Sequence, residues 1–109
     1  MFSHLEDLQE WHWREFCTAA GLQVPWRDVR EHCVAVDRMS PTARAAWVAD
    51  NELQAERELA ANDQHTRRRV ERSLARAVRT EAGRIISEHD VRASATLQFW
   101  MTRSVLGAE

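Results

Sequence analysis

Glycine and proline are scarce in this chain of 109 residues, which contains three glycines and two prolines. An all-β domain of this size needs many tight turns, and such turns draw heavily on both residue types. Alanine, leucine, arginine and glutamate are abundant instead, and all four favour helices. The composition therefore predicts an all-α protein, folded as a small bundle of four to five helices.

The chain also lacks a long hydrophobic run and a cysteine framework. Its longest uninterrupted apolar stretch is residues 45–49, far short of the roughly 20 residues that a membrane span needs. The N-terminal segment is rich in charge and has no apolar core like that of a secretory signal. Cys17 and Cys33 are too few for a disulfide framework. We therefore expect one cytoplasmic domain covering residues 1–109, with no membrane segment.

Lysine is absent, so all 15 basic residues are arginine. The simplest explanation of this bias is codon usage in a GC-rich genome. Such a bias indicates a bacterium or one of its phages, and the composition does not choose between the two.

Apolar residues recur every three to four positions along most of the chain, as the buried faces of helices require. The predicted helices cover residues 4–20, 25–38, 41–61, 64–86 and 87–106. Ser3 with Glu6, and Ser87 with Asp90, form capping-box patterns that predict two of the helix starts. Gly21 supplies a left-handed stop for the first helix. Because the connection that follows is short, we expect the first two helices to be antiparallel neighbours.

The third predicted helix carries two apolar strips. The narrower strip consists of Ala46, Ala49, Leu53 and Ala60. Its small side chains would allow close packing. The second strip consists of Val48, Ala55 and Leu59. It predicts contacts on another side of the same helix.

Asn62 and Asp63 form the best candidate for a break between the third and fourth helices, which would then form a long hairpin. The alternative is that the chain stays helical through these residues. The two helices would then fuse into one rod of about 70 Å. Two short helices cannot cover such a rod, so this alternative demands a partner chain in a dimer.

Charge is divided between the two halves of the chain, although the net charge is only −2. Acidic residues crowd the third predicted helix, and arginines crowd the fourth. One face of the fourth helix carries Arg68, Arg69, Arg72, Arg76 and Arg79. We interpret the acidic and basic helices as neutralising each other across the hairpin. The alternatives are that the arginines bind an acidic protein or the phosphates of a nucleic acid.

Motifs for catalysis or metal binding are missing from the sequence. It contains no P-loop, no G-x-S-x-G and no C-x-x-C pair. Cys17 and Cys33 are predicted to be buried thiols, and Glu52 and Glu56 to lie on a solvated surface. Glu81 falls inside the apolar arc of the fourth predicted helix, where an unpaired carboxylate would be costly. We expect no metal, no cofactor and no enzymatic activity.

Tryptophan is unusually frequent, with five residues in a short chain. Tryptophan is enriched at binding hot spots, and it also fills the cores of small helical domains. Trp13 and Trp26 lie on the apolar arcs of their predicted helices, so they are assigned to the core. Trp11 and Trp47 lie off those arcs. We predict that one of these two contacts a partner.

These observations predict a helical protein–protein interaction module that is neither an enzyme nor a membrane protein. We expect a homodimer that binds, sequesters or adapts a protein partner, as a small regulatory or phage-encoded accessory protein would. The predicted contact residues are Trp11, Trp47, Arg68, Arg72, Arg76 and Arg79. The alternative function is a nucleic-acid-associated regulator that uses the arginine face of the fourth helix.

Overall fold

Six α-helices follow a short 3₁₀ helix in the computed structural model, which describes residues 5–106 and the side chains of residues 5–103. The 3₁₀ helix covers Leu5–Asp7. The α-helices are α1 (Glu10–Ala20), α2 (Trp26–Asp37), α3 (Pro41–Ala61), α4 (Gln64–Val78), α5 (Glu81–His89) and α6 (Val91–Leu106). The described residues contain no strand. The predicted all-α bundle is confirmed, with one helix more than the four to five expected.

The first helix begins later than its sequence pattern predicts. The 3₁₀ helix precedes it, and α1 starts at Glu10, where the backbone N–H of Gln9 donates to Nδ1 of His12 at 3.1 Å. The predicted cap at Ser3 lies outside the described residues. The predicted stop is confirmed, because Gly21 adopts the left-handed conformation with a φ of 72°.

Polar side chains cap the starts of α3 and α4, and the second cap lies at the predicted break between them. The side chain of Ser40 accepts a hydrogen bond from the backbone N–H of Ala43 at 3.1 Å, which starts α3. Asp63 does the same for Thr66 at 2.7 Å, which starts α4. Asn62 has an extended backbone, with φ −99° and ψ 155°. The alternative of one continuous rod is therefore wrong.

The fourth predicted helix is divided in two, which corrects the prediction of a single helix over residues 64–86. Thr80 has extended backbone angles, and its hydroxyl accepts from the N–H of Gly83 at 3.0 Å. The same hydroxyl donates to the carbonyl of Ala77 at 2.7 Å. Thr80 therefore starts α5 while satisfying a carbonyl at the end of α4.

The start of α6 differs by a few residues from the predicted capping box. Ser87 lies within α5, and its hydroxyl donates to the carbonyl of Gly83 at 2.8 Å. Asp90 is the capping residue instead, because its side chain accepts from the N–H of Ala93 at 3.1 Å. Helix α6 then continues to Leu106 as predicted.

Helix α6 is the common neighbour in the bundle, since it packs against α2, α3, α4 and α5. Helix α1 packs against α2, α4 and α5. The largest fully buried side chains include Trp13, Phe16, Ile86, Leu97 and Gln98. The core therefore lies between α6 and α1, and α3 is attached to its edge mainly through α6.

The two apolar strips of α3 lie in different environments. The narrow strip of Ala46, Ala49, Leu53 and Ala60 faces solvent. Val48, from the second strip, is the buried residue of α3, and Ala55 and Leu59 are half-buried beside it. Within the described chain no helix packs on the narrow strip, whereas the second strip makes the contacts on another side that its pattern predicts. Packing against α6 decides which strip is covered.

Asp90 is expected to contribute stability that depends on pH. The hydrogen bond from the Ala93 N–H, and then the Arg44 guanidinium 3.3 Å away, lower the pKa of Asp90 below its ordinary value. A depressed pKa in the folded state means that this contribution is complete above the unfolded pKa of about 3.9 and is lost as the pH falls through the folded pKa.

The measurement is the free energy of unfolding of wild type and Asp90→Asn across this pH range. Asparagine keeps a capping oxygen but does not titrate. We expect wild type to be the more stable at about pH 7 and the difference to close below about pH 4. A difference that is constant with pH would contradict the role of the ionised carboxylate.

Candidate functional site

Two of the acidic residues of α3, Glu52 and Glu58, pair with arginines of α6. Glu52 accepts two hydrogen bonds from Arg92, at 2.9 and 3.1 Å, and these lower the pKa of Glu52. Glu58 lies 2.6 Å from the Nε of Arg103. The interpretation that α3 and α4 neutralise each other is therefore wrong. The reason is that α6, rather than α4, is the main neighbour of α3.

Three of the predicted contact arginines, Arg68, Arg72 and Arg79, have no acidic partner among the described residues. All three are exposed. Arg76 differs, because its Nε donates to the carbonyl of Ala19 at 3.3 Å, at the end of α1. The structure therefore keeps three of the four predicted arginines available and uses the fourth to join two helices.

An apolar groove opens between α3 and α4, with α6 as its floor. We call it the α3–α4 groove. Its volume is about 340 Å³. It is lined by Glu52, Ala55, Glu56, Leu59, Leu74, Ala95, Thr96 and Phe99. Most of the lining surface is apolar, so a partner could bury hydrophobic side chains there.

The groove depends on contacts that sequence patterns do not reveal. Leu59 and Leu74 appear in the sequence as ordinary positions on apolar strips, and Phe99 as part of the last helix. They line one surface because α3 and α4 both pack on α6 and leave a space between them. This relationship is non-local, so the groove cannot be predicted from the spacing of residues in the sequence.

The two tryptophans predicted to contact a partner occupy different environments. Trp11 is 54% exposed on α1, and its ring stacks on His12 with centroids 3.6 Å apart. Trp47 is half-buried and packs against the core, with its ring centroid 6.4 Å from that of His32. Neither residue lines the α3–α4 groove. Trp11 is exposed on a surface separate from the groove, whereas the packing of Trp47 gives it a structural role.

A smaller cavity lies beside the stacked rings of His32 and Trp100, whose centroids are 4.4 Å apart. It is lined by Leu22, Val24, Asp28, Val29, His32, Trp100 and Met101. Its volume is about 190 Å³, below the roughly 300 Å³ at which ligand sites usually begin. Burial lowers the pKa of His32. The cavity is therefore a weaker candidate than the groove.

The cysteines are buried free thiols, as predicted. Burial raises the pKa of Cys17 to about 11, and burial followed by the nearby Cys17 raises that of Cys33. Both groups are therefore protonated at neutral pH, and a protonated thiol is a poor nucleophile. Within the described residues, no group of three or more His, Cys, Asp or Glu side chains is placed to hold a metal ion.

Glu81 is not the buried carboxylate that its place in the predicted apolar arc implied. It is 48% exposed and lies in the first turn of α5, with its Oε2 3.7 Å from Nε2 of His12. The break at Thr80 changes the rotational phase of the helix, so Glu81 points outward. An acidic residue at this position also suits the positive end of the helix dipole.

Comparison of the chain with protein-family models, with curated proteins and with solved structures finds no match. Among the described residues, no helix is long and apolar enough to cross a membrane.

Proposed function

We propose that this chain is a helical protein-interaction module that captures an amphipathic helix of a partner protein in the α3–α4 groove. The observation that carries the proposal is the groove itself, an apolar opening of about 340 Å³ between two helices. Binding an amphipathic helix in such a groove is a recurring mode of protein recognition, in which the partner buries its apolar face. In this role the module would sequester or adapt its partner.

The arginines of α4 indicate the charge of the partner helix. Leu74 of α4 forms one wall of the groove. The same helix carries Arg68 and Arg72, and Arg79 caps its C-terminus; none of the three has an acidic partner in the described region. These arginines lie on the side of α4 away from Leu74, so a helix seated on Leu74 would gain long-range attraction, and not direct ion pairs, from acidic residues on the flank that faces α4. We therefore propose a partner helix with an apolar face and an acidic flank.

The proposal is tested with a fluorescein-labelled synthetic helix that has leucines on one face and glutamates on one flank. Fluorescence anisotropy should show binding that weakens at least about tenfold in Leu74→Glu, because a charge would enter the apolar wall. The double variant Arg68→Glu, Arg72→Glu should bind more weakly and with less salt dependence.

Two controls make this result specific. The same peptide with lysine in place of glutamate should bind poorly to wild type, because like charges would face each other. The variant Trp11→Ala should bind the glutamate peptide as wild type does, since Trp11 lies outside the groove. Wild type that fails to bind the peptide, or a loss confined to Trp11→Ala, would contradict the groove as the docking site.

The unpaired arginines also favour a second candidate function, a regulator that contacts nucleic acid. Arg68, Arg72 and Arg79 could each bind a phosphate, and the affinity would then fall steeply with salt, with a slope of about −0.9 per phosphate contacted. The net charge of −2 opposes this function. Binding of duplex DNA that Arg68→Glu abolishes and Leu74→Glu leaves intact would favour nucleic acid over the proposed protein partner.

A further inference from the structure

The outer face of α3, which we define as Ala46, Ala49, Asp50, Leu53, Arg57 and Ala60, is unusually apolar for a helix surface in contact with solvent. All six residues are exposed. Leu53 is 50% exposed at the middle of this face. A solvent-facing helix surface normally carries mainly polar and charged residues. The outer face of α3 therefore resembles a buried face that no element of the described chain covers.

Two opposite charges lie on one edge of this face. Asp50 and Arg57 are seven positions apart, so their side chains share an edge of the helix at a separation of about 10 Å. That distance is too large for them to pair with each other. Neither residue forms an ion pair within the described region. Neither has an opposite charge three or four positions away on α3.

We propose that a second copy of this chain docks antiparallel on the outer face of α3, so that α3 packs against α3 of the partner subunit. A two-fold axis midway between positions 53 and 54 makes the contact self-complementary. Asp50 precedes this midpoint by as many positions as Arg57 follows it. In the antiparallel pair, Asp50 therefore lies level with the partner subunit's Arg57, about 5 Å along the helix from the axis.

The two-fold symmetry repeats each contact. The ion pair between Asp50 and the partner subunit's Arg57 forms twice, once on each side of the axis. Leu53 lies beside the axis and meets Leu53 of the partner subunit. Ala46 and Ala60 lie farther out, where their small side chains allow the two helices to approach to the short end of the usual 8–10 Å range. Charge complementarity of the face with itself thus selects a second copy as the occupant.

The small size of this contact predicts a weak and concentration-dependent dimer. One pair of helices covers less surface than the roughly 1,200–2,000 Å² of a stable interface. The alanines contribute little apolar area, so Leu53 and the two ion pairs supply most of the specificity. The α3–α4 groove lies on the other side of α3, where Ala55 and Leu59 line it. Dimerisation and partner binding therefore use separate surfaces.

The dimer is tested by exchanging the charges at positions 50 and 57. The dimer dissociation constant of the full chain is measured by sedimentation velocity over a wide concentration range. Asp50→Arg and Arg57→Asp should each raise the dimer dissociation constant at least about tenfold, because each places like charges opposite one another. The double variant carrying both changes should restore dissociation to within about threefold of wild type. Arg68→Asp, an exposed change on α4, is the control and should leave the dimer unchanged.

The variant Leu53→Glu is a second test of the dimer. It should be monomeric at every concentration and have the same circular dichroism spectrum as wild type. Wild type that is monomeric throughout, single variants that dimerise normally, or a double variant as weak as the singles would each overturn the proposal. The labelled glutamate peptide should still bind Leu53→Glu. Failure of the dimer is thereby distinguished from failure of the groove.

Discussion

Replacing Trp13 with alanine is expected to lower the free energy of unfolding by about 3–5 kcal/mol. The Trp13 side chain is fully buried, with 0% exposure, and meets the Phe16 ring edge to face at 6.5 Å between centroids. Helix α1, which carries both residues, packs against α2, α4 and α5. The change would therefore leave a cavity in the core shared by these helices. For a domain of this size the melting temperature should fall by about 15 °C or more.

The matched control is Trp11→Ala, two positions away on the same helix. Trp11 is 54% exposed and stacks on the neighbouring His12 ring, so its loss should change stability by no more than about 0.5 kcal/mol. Urea titrations followed by far-ultraviolet circular dichroism measure both effects without relying on tryptophan fluorescence. Equal losses in the two variants, or a loss below about 1 kcal/mol for Trp13→Ala, would contradict the assignment of the core.

Helix boundaries were predictable wherever a local residue fixes them. Ser40, Asp63 and Gly21 act through backbone groups a few positions away, so their effect can be recognised in the sequence. The break at Thr80 was missed because apolar residues recur through it, and the nearby glycine, Gly83, lies inside α5 and not at the break. Thr80 is nevertheless an ordinary capping residue. The apolar pattern that continues past Thr80 predicted one longer helix, although threonine is a common N-cap residue.

The surfaces that carry function could be predicted only in part. Helical periodicity placed Arg68, Arg72 and Arg79 on one polar face, and the structure leaves them exposed. Periodicity could not choose between the two apolar strips of α3, since that choice depends on how α3 packs against α6. The outer face of α3 and the α3–α4 groove both follow from this packing. Local sequence spacing contains no information about it.

Gly83→Ala is expected to destabilise the protein by about 3 kcal/mol or more, although alanine is the better helix former by about 1 kcal/mol. A Cβ at position 83 would lie 2.0 Å from the carbonyl oxygen of Ala77 and 2.8 Å from the Cα of Val78. Both are backbone atoms at the end of α4, which cannot rotate away as a side chain could. Relief requires α5 to move away from α4.

The cap at Thr80 opposes that movement, because its hydroxyl bonds both the Ala77 carbonyl and the Gly83 N–H, at 2.7 and 3.0 Å. Separating α5 from α4 would break at least one of these bonds and disturb Ile86 in the core. The control is Ala75→Gly, at an exposed site on α4, where the exchange of alanine and glycine changes helix propensity alone. It should lower the free energy of unfolding by about 1 kcal/mol. Thermal unfolding should rank Gly83→Ala as clearly the less stable variant. A Gly83→Ala protein as stable as wild type would show that α4 and α5 do not meet so closely.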